Sequence, residues 1–120
     1  CGYVVEHQEK TFYFVGDTGY NPYQFKQIGE IWLKIDLSLI PIGTYVPKEF
    51  MQPVHISPKE AVEIHCDVKS RLSVGMHWNT FLLSEEHPEM PPYDLFIALQ
   101  QKNLPSSSFL PLNLGQEINW

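Results

Sequence analysis

The chain has 120 residues, 43% of them hydrophobic, enough for one domain with a buried core, and no shift in composition marks a second. Eight lysines and arginines against fourteen aspartates and glutamates give a formal net charge of -6. That balance excludes nucleic acid as an expected partner, because no basic surface is available to displace counterions from a phosphate backbone. Apolar runs such as Leu37 to Ile42 are too short to span a bilayer and lack the flanks of a signal segment. A soluble protein, cytoplasmic or peripheral to a membrane, is therefore expected.

In chain order, Tyr3 to Glu6 and Thr11 to Val15 are rich in β-branched and aromatic residues, and the polar stretch Glu6 to Lys10 between them reads as the turn of an antiparallel hairpin. After the loop Gly16 to Pro22, the spacing of Phe25 and Ile28 predicts a short helix over Tyr23 to Ile28, stopped near Gly29. Ile35 to Ile42 reads as a buried strand, because Leu37, Leu39, Ile40 and Ile42 leave almost no polar face, and Pro41 places its end at an edge or exit. Ser57-Pro58-Lys59-Glu60 carries a capping box with proline at the first helical position. Ala61, Ile64 and Val68 then form one inward stripe of a helix ending near Ser70. Arg71 to Trp78 follows as a strand. Pro91 and Pro92 introduce a last helix in which Leu95, Ala98, Leu99 and the Lys102 stem share a face, with Asn103 as terminator. A short strand is expected near Phe109 to Leu112. The alternation predicts an α/β or α+β domain with helices covering a sheet.

Cys1 and Cys66 are too few for a disulfide scaffold. Cys66 falls within the helix that starts at Ser57, where a buried reduced thiol is the expectation. The chain opens on Cys1, without a methionine, directly in a strand-like run, and reads as cut from something longer.

Three predicted strands end in polar, glycine-containing or aromatic loops: Gly16-Asp17-Thr18-Gly19, Gly43-Thr44-Tyr45 and His77-Trp78-Asn79-Thr80. Ligands of α/β sheets gather beyond the carboxyl ends of strands, so these loops are expected to meet, with Asp17 and His77 at the centre. Carboxylate and neutral imidazole are both zinc donors. From the residues alone, Asp17 is equally readable as an Asx-turn residue, and His77 as a core histidine bonded to a carbonyl. His55, in the loop before Ser57, is placed to approach an anionic substrate. His7 belongs to the first turn, while His65 and His87 suit helix packing or solvent. No His-x-His pair occurs, so the chain is expected not to close a catalytic metal site by itself. Acyl-enzyme chemistry is disfavoured: Ser106-Ser107-Ser108 has no nucleophile elbow, and Cys66 has no electropositive neighbourhood. Tyr20, Tyr23, Tyr45, Phe50, Trp78 and Phe81 are expected around the suspected loops, mostly as packing and rim residues.

Taken in order, Gly16-Asp17-Thr18-Gly19-Tyr20, Ile40-Pro41-Ile42-Gly43-Thr44-Tyr45, Phe50-Met51, His55 with Ser57-Pro58-Lys59-Glu60-Ala61-Val62, and His77-Trp78-Asn79-Thr80-Phe81 resemble a known series. They are similar to the C-terminal half of the metallo-β-lactamase-fold hydrolases related to N-acylphosphatidylethanolamine-hydrolysing phospholipase D, over about residues 2 to 103. The resemblance implies a four-layer αββα sandwich, of which residues 1–120 supply a single partial domain: one mostly antiparallel or mixed sheet and its covering helices. It implies that Asp17 bridges two metal ions, that His77 binds one of them, and that His55 has a catalytic role in phosphate binding or proton transfer. Tyr45 is the corresponding candidate for substrate contact. Asn79 departs from the glycine usual in the family's His-Trp-Gly-Thr-Phe motif. The family's remaining ligands, from a His-x-His-x-Asp-His motif and one further histidine, belong to the N-terminal half, so the two-zinc site is incomplete here.

The function these features imply is part of a zinc-dependent hydrolase acting on a phosphodiester, a phospholipase D-type reaction on an N-acylated phospholipid, with this chain alone inactive. Its partners would be the missing N-terminal half of the domain, the phospholipid, and a second copy through an exposed sheet face. The alternatives are a non-catalytic half-domain that associates through that face, and a hydrolase of the same fold acting on a lactone or a nucleotide.

Overall fold

A five-stranded mixed sheet in the order β1-β2-β3-β4-β5 organises residues 1–120, all of which the computed structural model describes. Its strands are β1 (Tyr3–His7), β2 (Lys10–Phe14), β3 (Leu37–Pro41), β4 (Ser73–Met76) and β5 (Phe109–Leu110). The helices are α1 (Pro22–Ile31), α2 (Lys48–Met51), α3 (Pro58–Asp67) and α4 (Met90–Gln101). β1 pairs antiparallel with β2, but every later pairing is parallel. Parallel neighbours cannot be joined by a tight turn, and α1, α3 and α4 supply the three crossovers.

The hairpin is tighter than its polar stretch suggests. Strand pairing runs to His7 and Lys10, leaving Gln8 and Glu9 as a two-residue turn at φ 46° and 66°, the positive-φ geometry whose twist matches the flanking strands. His7 is thus the last residue of β1 and not a turn residue. α1 begins where Asn21 accepts the amides of Tyr23 and Gln24. It then continues past Gly29, where a stop was expected. A Cβ at that position would lie 2.2 Å from the Asp67 carbonyl, so the glycine lets α1 press against the end of α3.

α3 starts with the expected reciprocal cap. The Glu60 carboxylate accepts the Ser57 amide at 2.8 Å, and Ser57 Oγ accepts the Glu60 amide at 3.4 Å. Its inward stripe is Ala61, Ile64, His65 and Val68, while Cys66 is exposed. The expectation of a buried thiol is therefore overturned: successive helical residues turn through about 100°, and it is His65 that takes the inward place. In α4, Leu95, Ala98 and Leu99 are buried, Lys102 Nζ meets Glu63 Oε2 at 2.8 Å, and Asn103 at φ 56° ends the helix.

One core joins Phe25 of α1, Ile64 of α3 and Val68 at its C-terminal cap, and Leu95 and Leu99 of α4 to Tyr13, Ile40 and Phe109 of the sheet. The helices therefore cover one face. Strand alternation sends Phe12, Phe14, Leu39 and Leu110 to the other, together with Tyr3 and Val5, which are 61% and 52% exposed. The C-terminal tail partly returns over this second face, with the Trp120 ring 6.2 Å from that of Phe12.

Candidate metal centre

Because β2, β3 and β4 run parallel in register, their carboxyl ends share one edge of the sheet, and Asp17, Thr44 and His77 lie in the loops that leave them. Gly16 turns the chain out of β2 at φ 76°, a conformation that side-chain-bearing residues rarely adopt. His77 leaves β4 at φ 60°. His55 enters between α2 and α3, held on one side by its backbone amide donating to the Met51 carbonyl at 2.8 Å and on the other by fully buried Ile56.

These segments bring three donors together. One ligand atom from each of Asp17, His55 and His77 lies within 4.8 Å of the others. His77 Nε2 faces Asp17 Oδ1 at 3.6 Å, too long for a hydrogen bond, and the His55 and His77 rings stack with centroids 5.2 Å apart. The Asp17 side chain is 59% exposed and that of His77 only 24%, so the carboxylate stands at the solvent side of the imidazoles. His55 Nδ1 is buried without a hydrogen-bond partner, which is uncommon for a buried ring nitrogen. A carboxylate and two imidazoles are the donor chemistry of a divalent transition-metal site. The residues present therefore fit a metal ion, with His55 a third polar group beside Asp17 and His77 where residue spacing pointed to two.

His77 does not use its second nitrogen on a carbonyl. Nδ1 lies 3.3 Å from Thr44 Oγ1, and the Thr44 and Val46 amides are both accepted by the buried carboxylate of Glu86. The loop of Thr44 is among those the sequence marks, but Glu86 does not stand out there: it sits in an acidic stretch that reads as solvated. The Tyr45 hydroxyl donates to Asp94 Oδ2 at 2.6 Å, so it braces the loop against α4. Tyr20 likewise donates to Asp67 at 2.7 Å and stacks on Phe25, tying the loop that follows Asp17 to α1 and α3. Trp78 packs at the border of the core, whereas Tyr23, Phe50 and Phe81 are largely exposed.

A mixed sheet with helices on one face and three potential metal donors beyond the carboxyl ends of its strands is a mixed α/β domain with a candidate metal site. The chain belongs to the β-lactamase superfamily: the family model described as "Beta-lactamase superfamily domain" matches residues 1–78. It is 39% identical over 96% of its length to the "N-acyl-phosphatidylethanolamine-hydrolyzing phospholipase D 1" of Caenorhabditis elegans, covering 33% of that protein. It is 34% identical over 73% of its length to a "UPF0173 metal-dependent hydrolase" of Caldivirga maquilingensis, covering 34% of it. Among solved structures, the metallo hydrolase Igni18 of Ignicoccus hospitalis superposes on 97% of the chain and 43% of its own with a TM-score of 0.66 at 19% identity, a likeness of fold. The chain spans about a third of the length of these two curated relatives.

Proposed function

We propose that the chain is the C-terminal half of a metal-dependent hydrolase that cleaves a phosphodiester, in a phospholipase D-type reaction on an N-acylated phospholipid. The observation that carries this reading is the convergence of Asp17, His55 and His77 at the sheet edge, in a chain whose relatives include one named for that reaction and one named for metal-dependent hydrolysis. Asp17 and His77 Nε2 would hold the metal, zinc being the ion best suited to this donor set. When bound, such an ion supplies a water of lowered pKa and positive charge for the phosphoryl oxygens. His55, stacked on His77 with Nδ1 unspent, is then the group that contacts a phosphoryl oxygen or passes a proton to the leaving alcohol. The remaining donors would come from the N-terminal half of the domain, which would also cover the bare sheet face. By itself the chain is then inactive.

The bare face also favours a second reading, a non-catalytic half-domain that associates through it. Metal analysis of the full-length protein separates the two. Asp17→Asn and His77→Ala are expected to lower bound zinc and to cut phosphodiester turnover by more than about 100-fold, beyond the range for groups that merely support a ligand. Unchanged metal content would remove the roles given to these two residues. Turnover of lactones or simple phosphodiesters with none of N-acylated phospholipids would replace the substrate.

A further inference from the structure

The loop that carries His77 is held against the loop that leaves β3 by both backbone and side-chain contacts. The ladder between the strands runs on beyond Pro41 and Met76, with the Ile42 amide donating to the Met76 carbonyl at 3.0 Å. At Gly43 the two backbones are so close that a Cβ would stand 2.2 Å from the His77 carbonyl. The next residue, Thr44, is buried at φ 65°, a conformation uncommon for a β-branched side chain. Asparagine or glycine would adopt it more readily. What threonine adds there is its hydroxyl, 3.3 Å from His77 Nδ1.

Glu86 explains how that strained residue is held. Its carboxylate is 9% exposed and accepts the amides of both Thr44 and Val46, while the neighbouring Glu85 amide donates to the Val46 carbonyl at 3.3 Å. No lysine or arginine pairs with Glu86; its contacts are to backbone. A buried carboxylate satisfied by two amides of one loop fixes that loop, and so fixes where the Thr44 hydroxyl points.

We infer that Thr44 and Glu86 are positioning residues for His77. The Thr44 hydroxyl oxygen accepts a hydrogen bond from His77 Nδ1–H, which leaves the lone pair on Nε2, the nitrogen that faces Asp17. Glu86 acts through the backbone, by holding Thr44 in the conformation that makes this possible. An imidazole can offer only its unprotonated nitrogen to a metal, so a fixed Nδ1–H tautomer prepares His77 before any ion arrives. The inference rests on the reading of His77 as a ligand for its purpose, but not for its test.

The test is the tautomer of His77 in the full chain without metal, read from long-range nitrogen–proton correlations of the ring at about pH 8, where imidazoles are neutral. The wild-type ring is expected to be protonated at Nδ1. Thr44→Val keeps the branched shape and removes the acceptor, and is expected to mix the two tautomers and to weaken zinc binding about tenfold. Thr44→Ser restores the hydroxyl and should restore both. Glu86→Gln should shift the ring in the same direction as Thr44→Val. A wild-type ring protonated at Nε2, or a Thr44→Val ring unchanged from wild type, would overturn the inference. An Nδ1–H ring whose signals do not move on adding zinc would leave the positioning intact and remove the ligand role of His77.

Discussion

His65 shows what a single inward-facing residue commits the fold to. Its Nδ1 meets Ser73 Oγ at 2.8 Å and its ring lies 5.8 Å from that of Phe109, between α3 and the sheet. Burial lowers its pKa from 6.5 to about 4, because the charged imidazolium loses its water there. The unfolded chain therefore binds a proton at a pH where the folded chain does not. The stability that neutral His65 preserves is complete above about pH 6.5, falls as pH drops toward about 4, and changes no further below. By pH 5 the loss should be about 2 kcal/mol. Urea unfolding of wild type and His65→Gln between about pH 7 and 4.5 checks this. Equal pH slopes for the two proteins would show that the acid sensitivity lies elsewhere.

Among the elements, α3 is the one whose start governs the site, because His55 stands two residues before its cap. Ser57→Ala removes the oxygen that accepts the Glu60 amide and one partner of the Glu60 carboxylate. It is expected to cost about 1 kcal/mol in urea unfolding; a loss under about 0.3 kcal/mol would mean that Glu60 alone sustains the helix start. This cap was readable in the sequence, since its chemistry is local. So were the stripe of Ala61, Ile64 and Val68, the terminator Asn103, and the three strand-end loops that deliver Asp17, Thr44 and His77. Other features depend on distant partners and left no local trace. Gly29 reads as a stop because glycine usually is one, whereas Asp67 across the helix interface explains its place. Cys66 reads by residue type as the inward side chain of α3, but the helical phase gives that place to His65. The parallel pairing of β2, β3 and β4 follows from crossovers, and their direction is invisible in any single strand. Glu86 resembles any surface acid until the Thr44 and Val46 amides are found against it.

At the level of the whole molecule, the decisive property is a sheet with helices on one side only. Tyr3, Val5, Phe12, Phe14, Leu39 and Leu110 form an apolar surface, the kind that draws a partner in water. The chain without further sequence is expected to associate with itself as concentration rises, and Val5→Lys, at the exposed edge strand, should shift sedimentation toward the monomer while leaving the His55 and His77 ring signals in place. A wild-type chain that stays monomeric at about 100 µM, a concentration at which contacts of about 5.5 kcal/mol would already be half formed, would show that this face needs no cover. No helix is long and apolar enough to cross a membrane.

The tail that lies on this face gives the surface an owner before any partner arrives. Lys10 donates to the Trp120 carbonyl at 2.6 Å and sits 5.1 Å from the centre of its indole, while the same ring leans on Phe12. The relief that any covering layer would meet is consequently not the row of strand side chains alone. It includes an indole wedged at one end of that row and anchored by a cation, so shape complementarity there is set by a residue more than a hundred positions away in sequence from the strand it shields.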